Sequence, residues 1–347
     1  MNVSTLAAVW RGGADITLES MPLPVPRSGE VLVRVRLATV CGSDRHTVSG
    51  RRVQPCPSIL GHEAVGEIVS LGPGRHHAVD GRELEIGQRV IWSVTLPCGT
   101  CDRCRAGVTA KCRTVRKAGH EPLDSGWDLS GGYARHVLLP NGLPIAVVAD
   151  ELLDEVAAPA ACATATVMAV IERAGALAGR RVTVIGAGML GLGATAAAAW
   201  AGAASVLVID PVPARRDLAR RFGATAVAAA IDDEHQTDVL LEFSGSSAAL
   251  QRGIGTLDIQ GVAVLAGSVA PDGAIDLDPE NVVRRHLCII GVHNYEPRHL
   301  LAALTFLQQT RDRFPWAELV VPPRPLEDIA TLLTGPVGTA PRSSIAP

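Results

Sequence analysis

Short apolar runs interrupted by polar residues fill the first third of the chain and indicate β-strands. In residues 31–36, four aliphatic side chains are interrupted by two arginines, and residues 64–71 and 88–94 are similar runs broken by glycine and proline. No helical repeat of apolar positions is sustained in this part of the chain. The pattern predicts a compact, β-rich domain over residues 1 to about 150.

Beyond Ala157 the pattern changes to apolar strands that alternate with helices. Such alternation is typical of a doubly wound parallel sheet. The predicted strands are 182–185, 205–209, 238–243, 261–266, 287–291 and the short run 319–321, and the predicted helices are 162–176, an alanine-rich segment ending at Ala201, and 300–309. The tail from Gly335 is rich in proline and glycine and specifies little structure.

Composition and charge narrow the class of protein. At 347 residues the chain is long enough for two domains, and a net charge of -3 gives no sign of a nucleic-acid-binding surface. No charge-free apolar run reaches the roughly 18 residues of a membrane span, and the first residues lack the features of a secretory signal. Eight clustered cysteines indicate metal ligands in a reducing compartment. We expect a soluble, cytoplasmic protein without membrane or nucleic-acid partners.

The strongest single motif is a group of four cysteines, Cys98, Cys101, Cys104 and Cys112, three of them at CxxC spacing. Four thiolates can surround one zinc ion tetrahedrally and leave no position open, which is the arrangement of a structural site. Two alternatives are disulfides, which the reducing compartment disfavours, and an iron–sulfur cluster, which uses similar spacing.

A second candidate metal site begins at Cys41. His62 and Glu63 follow within a short stretch, and a lone cysteine, Cys162, stands in a run of small residues before a predicted helix. Catalytic zinc keeps three protein ligands so that substrate can take the fourth position. Taken singly, however, such cysteines are common core residues and a lone histidine is usually structural.

A glycine-rich turn predicts a dinucleotide site. Gly186, Gly188 and Gly191 follow an apolar strand and open a helix, which is the context that the GxGxxG fingerprint requires. The next strand ends in Asp210, where a carboxylate binds ribose hydroxyls and repels a 2′-phosphate. Arg215 and its neighbour stand close by and could instead accommodate that phosphate, but the carboxylate favours NAD as the cofactor.

Together these motifs resemble the zinc-containing medium-chain alcohol dehydrogenase family over nearly the whole chain. The residues that carry the resemblance are the segments 41–44, 61–63 and 158–163, the four-cysteine lobe, and the glycine fingerprint with Asp210. The resemblance implies an α/β plus β fold: a GroES-like catalytic domain (residues 1–162 and 296–347) into which a Rossmann domain with a doubly wound parallel sheet (residues 163–295) is inserted.

The resemblance also implies the roles of individual residues. Cys41, His62 and Cys162 are expected to bind catalytic zinc, with Glu63 close behind the metal and able to approach it. Three neighbours are expected to assist catalysis, Ser43 and His46 as a proton relay and Asp44 as the carboxylate that orients His62. The last strand of the family is reduced here to residues 341–345, and Arg342 is a candidate for contact with the cofactor pyrophosphate.

A narrower resemblance bears on the substrate. Residues 41–52, 92–94 and 117–121 look like those of a subgroup associated with phosphonate metabolism. Arg52 and Lys117 occupy positions where the family places apolar side chains of the substrate pocket. Two cations there predict an anionic head group on the substrate, since arginine binds oxyanions through paired hydrogen bonds and lysine through its charge. The alternative is that both belong to a solvated face.

The predicted function is reversible, zinc-dependent hydride transfer between an alcohol and NAD, with a hydroxyalkylphosphonate or another anionic alcohol as the candidate substrate. A polyol or amino-alcohol substrate is the nearest alternative. A nucleotide-sensing protein without catalysis and a zinc-free quinone reductase are two others, and the complete ligand set argues against both. The resemblance suggests a homodimer or homotetramer.

Overall fold

The computed structural model describes residues 3–232, 234–336, 338 and 340–347. Its contacts divide the chain into two units. The first comprises residues 1–165, 296–308 and 316–347, and the second comprises residues 166–295 and 309–315. The chain therefore passes from the first unit to the second at residue 166 and returns to the first at residue 296. Residues 309–315 belong to the second unit again, and the rest of the chain belongs to the first.

The first unit is built mainly of strands. Before the chain leaves it, they are β1 (Ser4–Gly12), β2 (Asp15–Pro22), β3 (Val31–Thr39), β4 (Ser58–Ile59), β5 (Ala64–Leu71), β6 (Arg89–Trp92), β7 (Thr95–Leu96), β8 (Arg116–Lys117), β9 (His136–Leu139) and β10 (Ile145–Val147). Short helices lie between or after them, namely α1 (Gly42–Val48), α2 (Asp102–Arg105) and α3 (Asp154–Ala157), with 3₁₀ turns at Thr109–Lys111 and Ala158–Ala161. The helix α4 (Ala163–Ala174) follows.

The second unit alternates strands with helices. Its elements are β11 (Arg181–Ile185), α5 (Met189–Trp200), β12 (Ser205–Ile209), α6 (Pro213–Arg221), β13 (Ala226–Ala228), β14 (Thr237–Glu242), α7 (Ser247–Gly255), β15 (Leu257–Leu265), α8 (Pro279–Arg285) and β16 (Cys288–Gly291). The returning segment holds α9 (Pro297–Thr310), α10 (Ile329–Thr334), β17 (Arg324–Pro325), β18 (Ser344–Ala346) and 3₁₀ turns at Trp316–Leu319 and Leu326–Asp328.

The main sheet of the first unit has the strand order β10-β6-β5-β3-β18-β17, and β9 also pairs with β3. The alternation in β3 has the predicted effect: Val33 and Val35 are buried in the core, while Arg34 and Arg36 are exposed. Antiparallel pairing of β3 with β5 and β18 brings the final strand of the chain into the middle of this sheet.

The sheet of the second unit has the order β13-β12-β11-β14-β15-β16, with every pair parallel. This is the doubly wound arrangement that the sequence pattern predicts, with helices connecting the strands. Residues 309–315 join this unit through stacking: the ring of Phe314 lies 6.0 Å from that of Phe222, and Arg313 lies over Trp200.

Two predictions near the end of the chain are wrong. The strand predicted at 319–321 is instead the end of the 3₁₀ turn Trp316–Leu319, followed by a single bridge between Val320 and Arg342. A three-residue apolar run is too short to define a period, and two prolines follow it. The tail, which was expected to specify little structure, contains β18, because β3 supplies it with an antiparallel partner.

Among the described residues, no single helix is long and apolar enough to cross a membrane. One bent pair, residues 154–161 with Ala163–Ala174, passes by length and composition only. Most of its residues are buried in the fold, as is common for core helices of globular proteins.

Candidate active site and metal centres

Two thiols and an imidazole converge in the first unit. Cys41 is the N-cap of α1, His62 lies just after β4, and Cys162 directly follows the 3₁₀ turn Ala158–Ala161. Their candidate ligand atoms all lie within 4.8 Å of one another. Cys41 and His62 are buried, whereas Cys162 is only partly covered. The fold thus brings together three side chains from distant parts of the sequence.

The carboxylate of Asp44 lies beside the imidazole of His62. Asp44 Oδ1 lies 3.2 Å from His62 Nδ1. Its Oδ2 accepts hydrogen bonds from the hydroxyl of Tyr133 at 2.8 Å and from the amide of Cys41 at 3.3 Å. With Nδ1 facing a carboxylate, Nε2 is the nitrogen left to bind a metal. The Ser43 hydroxyl lies 3.3 Å from this Nε2.

The donor set suits zinc. Thiolate and imidazole are ligands that zinc prefers, and three protein ligands leave one position for substrate. Ligand atoms about 2.0–2.3 Å from one tetrahedral ion are less than about 4 Å apart, which is compatible with the limit of 4.8 Å in the structure. A hydrogen bond from Cys162 and the charge of Arg342 lower the pKa of Cys41 well below its usual range, which favours the thiolate that binds metal. Cys41, His62 and Cys162 therefore fit a catalytic zinc ion.

Glu63 pairs with an arginine from the other end of the sequence. Arg342 donates from Nε to Oε2 of Glu63 at 2.7 Å and from Nη2 to Oε1 at 3.0 Å, and the Thr39 hydroxyl also donates to Oε2 at 2.7 Å. The same Nη2 lies 3.6 Å from Cys41 Sγ. Both members of the pair are buried. Among the described residues, Glu63 therefore lies beside the three-donor cluster and outside it, and Arg342, a candidate for the cofactor pyrophosphate, binds Glu63 instead.

The two residues expected to relay protons lie on α1. Ser43 and His46 are three positions apart and therefore share one face of the helix. Burial, and after it the charge of Arg51, lower the pKa of His46, which favours its neutral form. A direct hydrogen bond between the two side chains is not seen in the described part of the chain.

The four-cysteine loop forms a second donor cluster. The sulfur atoms of Cys98, Cys101, Cys104 and Cys112 lie within 4.8 Å of one another, and all four cysteines are free of disulfides. Hydrogen bonds from the backbone and the side chain of Thr100 lower the pKa of Cys98 to about 5. Four sulfur donors complete the coordination of one tetrahedral ion, so this cluster fits a closed, structural zinc site.

A carboxylate anchors the four-cysteine loop to the rest of the first unit. Glu296, just before α9, accepts hydrogen bonds from the amide of Thr109 at 2.9 Å, from the Thr109 hydroxyl and from the amide of Ala110 at 3.2 Å. Both donors belong to the 3₁₀ turn that precedes Cys112. Sequence reasoning missed Glu296, because an isolated glutamate before a helix carries no distinctive signal.

In the second unit the glycine-rich turn connects β11 to α5. A Cβ atom on Gly191 would lie 1.7 Å from the carbonyl oxygen of Gly186, so only glycine allows this approach. Gly188 is the N-cap of α5. Asp210 follows β12, and its Oδ2 accepts the amide of Ala187 at 2.8 Å. The turn, the helix N-terminus and the carboxylate are thus assembled as a dinucleotide site requires.

Two arginines flank Asp210. Arg216 donates from Nη1 to the backbone carbonyls of Asp210 at 2.7 Å and of Pro211 at 2.9 Å. Arg215 Nη1 lies 3.9 Å from Asp210 Oδ2, and its side chain is partly exposed. Arg216 therefore holds the turn after β12, whereas Arg215 stands beside the carboxylate.

Comparison with known proteins decides the family. Residues 27–149 match the family model for the alcohol dehydrogenase GroES-like domain, and residues 190–309 match that for zinc-binding dehydrogenases. The 5-exo-hydroxycamphor dehydrogenase of Pseudomonas putida is 31% identical over 87% of this chain and 88% of its own. The chain belongs to the zinc-containing medium-chain alcohol dehydrogenase family. The prediction of a zinc-dependent oxidoreductase with two zinc sites and a nicotinamide dinucleotide cofactor is confirmed.

Other comparisons agree with this assignment. The L-threonine 3-dehydrogenase of Chelativorans sp. (strain BNC1) is 33% identical to this dehydrogenase over 80% of each chain. A zinc-binding dehydrogenase from Sinorhizobium meliloti 1021, solved with NADP, superposes with a TM-score of 0.88 at 23% identity, covering 99% of this chain and 100% of that one. The predicted GroES-like and Rossmann fold is confirmed.

Two basic side chains of the dehydrogenase approach the three-donor cluster. Burial, and next the charge of Arg52, lower the pKa of Lys117. After burial and His62, Arg52 and Lys117 both contribute to lowering the pKa of His120 well below its usual range. The ring of His120 lies 5.0 Å from that of His62. Within the described ranges, neither Arg52 nor Lys117 has a salt-bridge partner.

Sequence reasoning missed two residues beside the metal ligands of this dehydrogenase. Tyr133 hydrogen-bonds Asp44, and His120 packs against His62. The available signal was weak: Tyr133 is one of only two tyrosines and follows two glycines, and His120 stands three positions after Lys117. Their importance follows from the fold rather than from spacing in the sequence.

Proposed function

We propose that this dehydrogenase oxidises an alcohol carrying an anionic group to the corresponding carbonyl compound, with NAD as the hydride acceptor. The observation that supports the anionic group is the pair of cations described above. Arg52 and Lys117 are both close enough to influence the ionisation of His120, which packs on a zinc-ligand residue.

The two cations favour an anion over a solvated face for an energetic reason. Lys117 is partly buried, and burial is the main cause of its lowered pKa. A partly buried ammonium without a carboxylate partner is unfavourable, and a second cation nearby makes it more so. An anionic substrate would relieve this repulsion. Phosphonate, phosphate and carboxylate groups all have the required oxygens.

The residues around the three-donor cluster have separate roles in the proposed reaction. Zinc held by Cys41, His62 and Cys162 would polarise the substrate hydroxyl, and the nicotinamide would take the hydride from the carbinol carbon. Ser43 Oγ accepts the proton of the hydroxyl and passes it towards the imidazole of His46, which releases it to solvent. Loss of one hydride and one proton converts the alcohol to the carbonyl product.

Two nearby carboxylates keep the ligand residues in place without reacting. Asp44 Oδ1 lies 3.2 Å from His62 Nδ1, and we infer that this carboxylate selects the tautomer in which Nε2 is available to the metal. Glu63 is proposed as a residue behind the metal whose position is set by Arg342.

The preference for NAD over NADP rests on Asp210. Its carboxylate is buried and held by the amides of Ala187 and Val212, so it cannot easily turn away from a ribose bound at the turn. A fixed negative charge there binds hydroxyl groups and repels a 2′-phosphate. Arg215, 3.9 Å from the carboxylate, lessens the repulsion without removing it.

The comparisons favour one particular alternative within this class of substrates. Several relatives are L-threonine 3-dehydrogenases, and threonine carries a hydroxyl group and a carboxylate. A hydroxy amino acid or other amino alcohol is therefore the second candidate substrate, and a hydroxyalkylphosphonate is the first. The same two cations would face the carboxylate in one case and the phosphonate in the other.

The experiment compares Arg52→Ala with a control, Arg75→Ala, which removes an exposed arginine elsewhere in the first unit. Both are assayed by NADH formation with a hydroxyalkylphosphonate, with L-threonine and with a neutral alcohol of similar length. Losing a charged hydrogen bond of about 1.5–3 kcal/mol lowers kcat/KM by about tenfold to 150-fold. We expect this loss for Arg52→Ala on one anionic substrate only, with little change for the neutral alcohol and for Arg75→Ala on every substrate. An equal loss of kcat/KM on all substrates, or no loss on any, would show that Arg52 does not bind the substrate and belongs to a solvated face.

We also propose that the dehydrogenase is a homo-oligomer. In the described residues β16 is the last strand of its sheet, so one of its edges lacks a partner, and Cys288 at its start is exposed. Exposed apolar side chains occur in the same unit, including Val283 at 71% and Ile259 at 70%. Pairing of this edge with a second copy would cover it and give a dimer or tetramer. Light scattering of the purified protein tests this, and a monomer at all concentrations would exclude it.

We place the protein in the cytoplasm. All eight cysteines are free in the structure, and the two thiol clusters need reduced sulfur to bind zinc. Fractionation of cells that express the tagged chain tests this location.

A further inference from the structure

A buried carboxylate in the second unit has no role in the reaction described so far. Glu242 ends β14 and has no exposed surface. Its Oε1 accepts hydrogen bonds from the Ser244 hydroxyl at 3.0 Å and from the Gly245 amide at 2.6 Å. Its Oε2 accepts hydrogen bonds from the Gly267 amide at 3.1 Å and from the Ser268 hydroxyl at 3.3 Å. The carboxylate therefore links the loop after β14 to the loop after β15.

The donors match an ionised carboxylate. A carboxylate only accepts hydrogen bonds and offers about four acceptor positions, and four donors occupy them here. Among the described residues no cationic side chain forms an ion pair with Glu242. A buried charge of this kind is stabilised by its hydrogen bonds, so it is favourable only while both loops hold their donors in place.

Glycines let these loops pack directly against each other. A Cβ atom on Gly267 would lie 2.7 Å from the amide nitrogen of Gly245. The loop after β14 also packs against the glycine-rich turn after β11. A Cβ atom on Gly186 in that turn would lie 3.0 Å from the amide nitrogen of Ser244. The carboxyl ends of β11, β14 and β15 are thus stacked through their backbones. A shift at Glu242 would be transmitted to the glycine-rich turn.

The linked loops also line a cavity of about 510 Å³. Its walls include Gly245, Ser268 and residues 269–275. The carboxyl edge of a parallel doubly wound sheet is where such folds bind their ligands. We propose that Glu242 is a positioning residue for the cofactor: it fixes the loops after β14 and β15 in the arrangement that binds the nicotinamide dinucleotide. This inference rests on the proposed use of a dinucleotide by this unit.

The test uses Glu242→Gln, which keeps the shape of the side chain. One oxygen becomes an NH2 group, which faces a backbone N–H that it cannot accept from. The matched control is Thr237→Val at the other end of the same strand, where a buried hydroxyl donates to the carbonyls of Arg181 and Val239. Both variants lose buried hydrogen bonds in β14, but only Glu242→Gln disturbs the two loops.

Four measurements separate positioning from stability. For Glu242→Gln we expect the Kd of NADH, followed by its fluorescence, to rise about tenfold to a hundredfold, with a matching rise in the KM for the cofactor. The kcat at saturating cofactor should stay within about threefold. Thr237→Val should lower the unfolding temperature and leave the Kd within about twofold. An unchanged Kd for Glu242→Gln, or an equal rise for both variants, would overturn the proposal.

A second variant covers the case in which Glu242→Gln fails to fold. Ser268→Ala removes one donor hydroxyl, and we expect a rise in Kd of about twofold to tenfold. If Glu242→Gln is soluble, adding Ser268→Ala should raise the Kd by much less than it does alone, because the hydroxyl acts through the carboxylate. An additive effect, or none from Ser268→Ala alone, contradicts the inference. If the unaltered protein binds neither NADH nor NADPH, the proposed function fails instead.

Discussion

Removing Arg342 from the pair with Glu63 should strongly destabilise the first unit. The substitution Arg342→Met keeps much of the apolar stem and deletes both hydrogen bonds to the carboxylate. Glu63 would then be a fully buried charge that retains only the Thr39 hydroxyl as a side-chain partner. Water cannot readily replace the guanidinium, since Glu63 has no exposed surface and Arg342 is only 7% exposed.

The size of the effect follows from this burial. Breaking a buried ion pair by removing one partner costs about 3–5 kcal/mol, because the other charge is left uncompensated. In a unit of about 200 residues, 1 kcal/mol changes the unfolding temperature by about 2–4 °C. We therefore expect Arg342→Met to lower the unfolding temperature of the first unit by about 6–20 °C. An exposed pair should behave differently, and Arg324 with Asp328 supplies the matched control. Arg324→Met should cost less than about 1 kcal/mol.

The assay is thermal and urea unfolding at fixed zinc and cofactor concentrations, since bound ligands shift apparent stability. A third variant, Glu63→Gln combined with Arg342→Met, removes both charges and should recover part of the loss. If Arg342→Met unfolds like Arg324→Met, the buried pair contributes no more than a surface pair. If the double variant is less stable than Arg342→Met, the uncompensated charge is not the cause.

Four further predictions concern the metals, the cofactor and the anchoring carboxylate. The purified protein should contain two zinc ions per chain, and mild chelation should remove the one at the three-donor cluster first, as elemental analysis would show. Cys41→Ser should abolish turnover with the fold retained by circular dichroism, whereas Cys101→Ser should reduce the yield of soluble protein, because a closed zinc site supports folding. Asp210→Gly should lower the ratio of kcat/KM with NAD to kcat/KM with NADP. If the unaltered enzyme prefers NADP, the preference for NAD that is assigned to Asp210 is contradicted. Glu296→Gln should hasten zinc loss from the four-cysteine loop without changing kcat for the zinc-loaded enzyme, and equal release rates would show that the anchor does not stabilise the loop.

Local patterns in the sequence were sufficient for most of the fold. The strands at 64–71 and 205–209 were predicted with the bounds that the structure has, because short runs rich in β-branched residues, ended by glycine in one case and by aspartate in the other, define both the element and its end. The helix after the glycine-rich turn was equally clear. Where the signal was only three residues long, at 319–321, the prediction was wrong.

The candidate site was predictable in part. Ligand types and their local spacing indicated the two thiol-containing clusters, since metal chemistry restricts the residues that can be used. The partners of those residues were not predictable, because they depend on tertiary contacts: Arg342 lies 279 positions from Glu63, and Tyr133 lies 89 positions from Asp44. Glu242 stands at the end of an apolar strand, where a glutamate commonly marks only the end of the element.

The route of the chain also has a consequence for synthesis on the ribosome. Arg342 contacts Cys41 and Glu63. Both of these residues are translated long before Arg342, and the whole second unit is translated in between. Domains generally fold as they emerge, with the earlier segment first. The second unit can therefore complete its fold while the first still waits for its final strand. Until that strand arrives, the nascent chain carries a catalytic centre with an uncompensated carboxylate, and this is the stage at which chaperones and zinc supply should matter most.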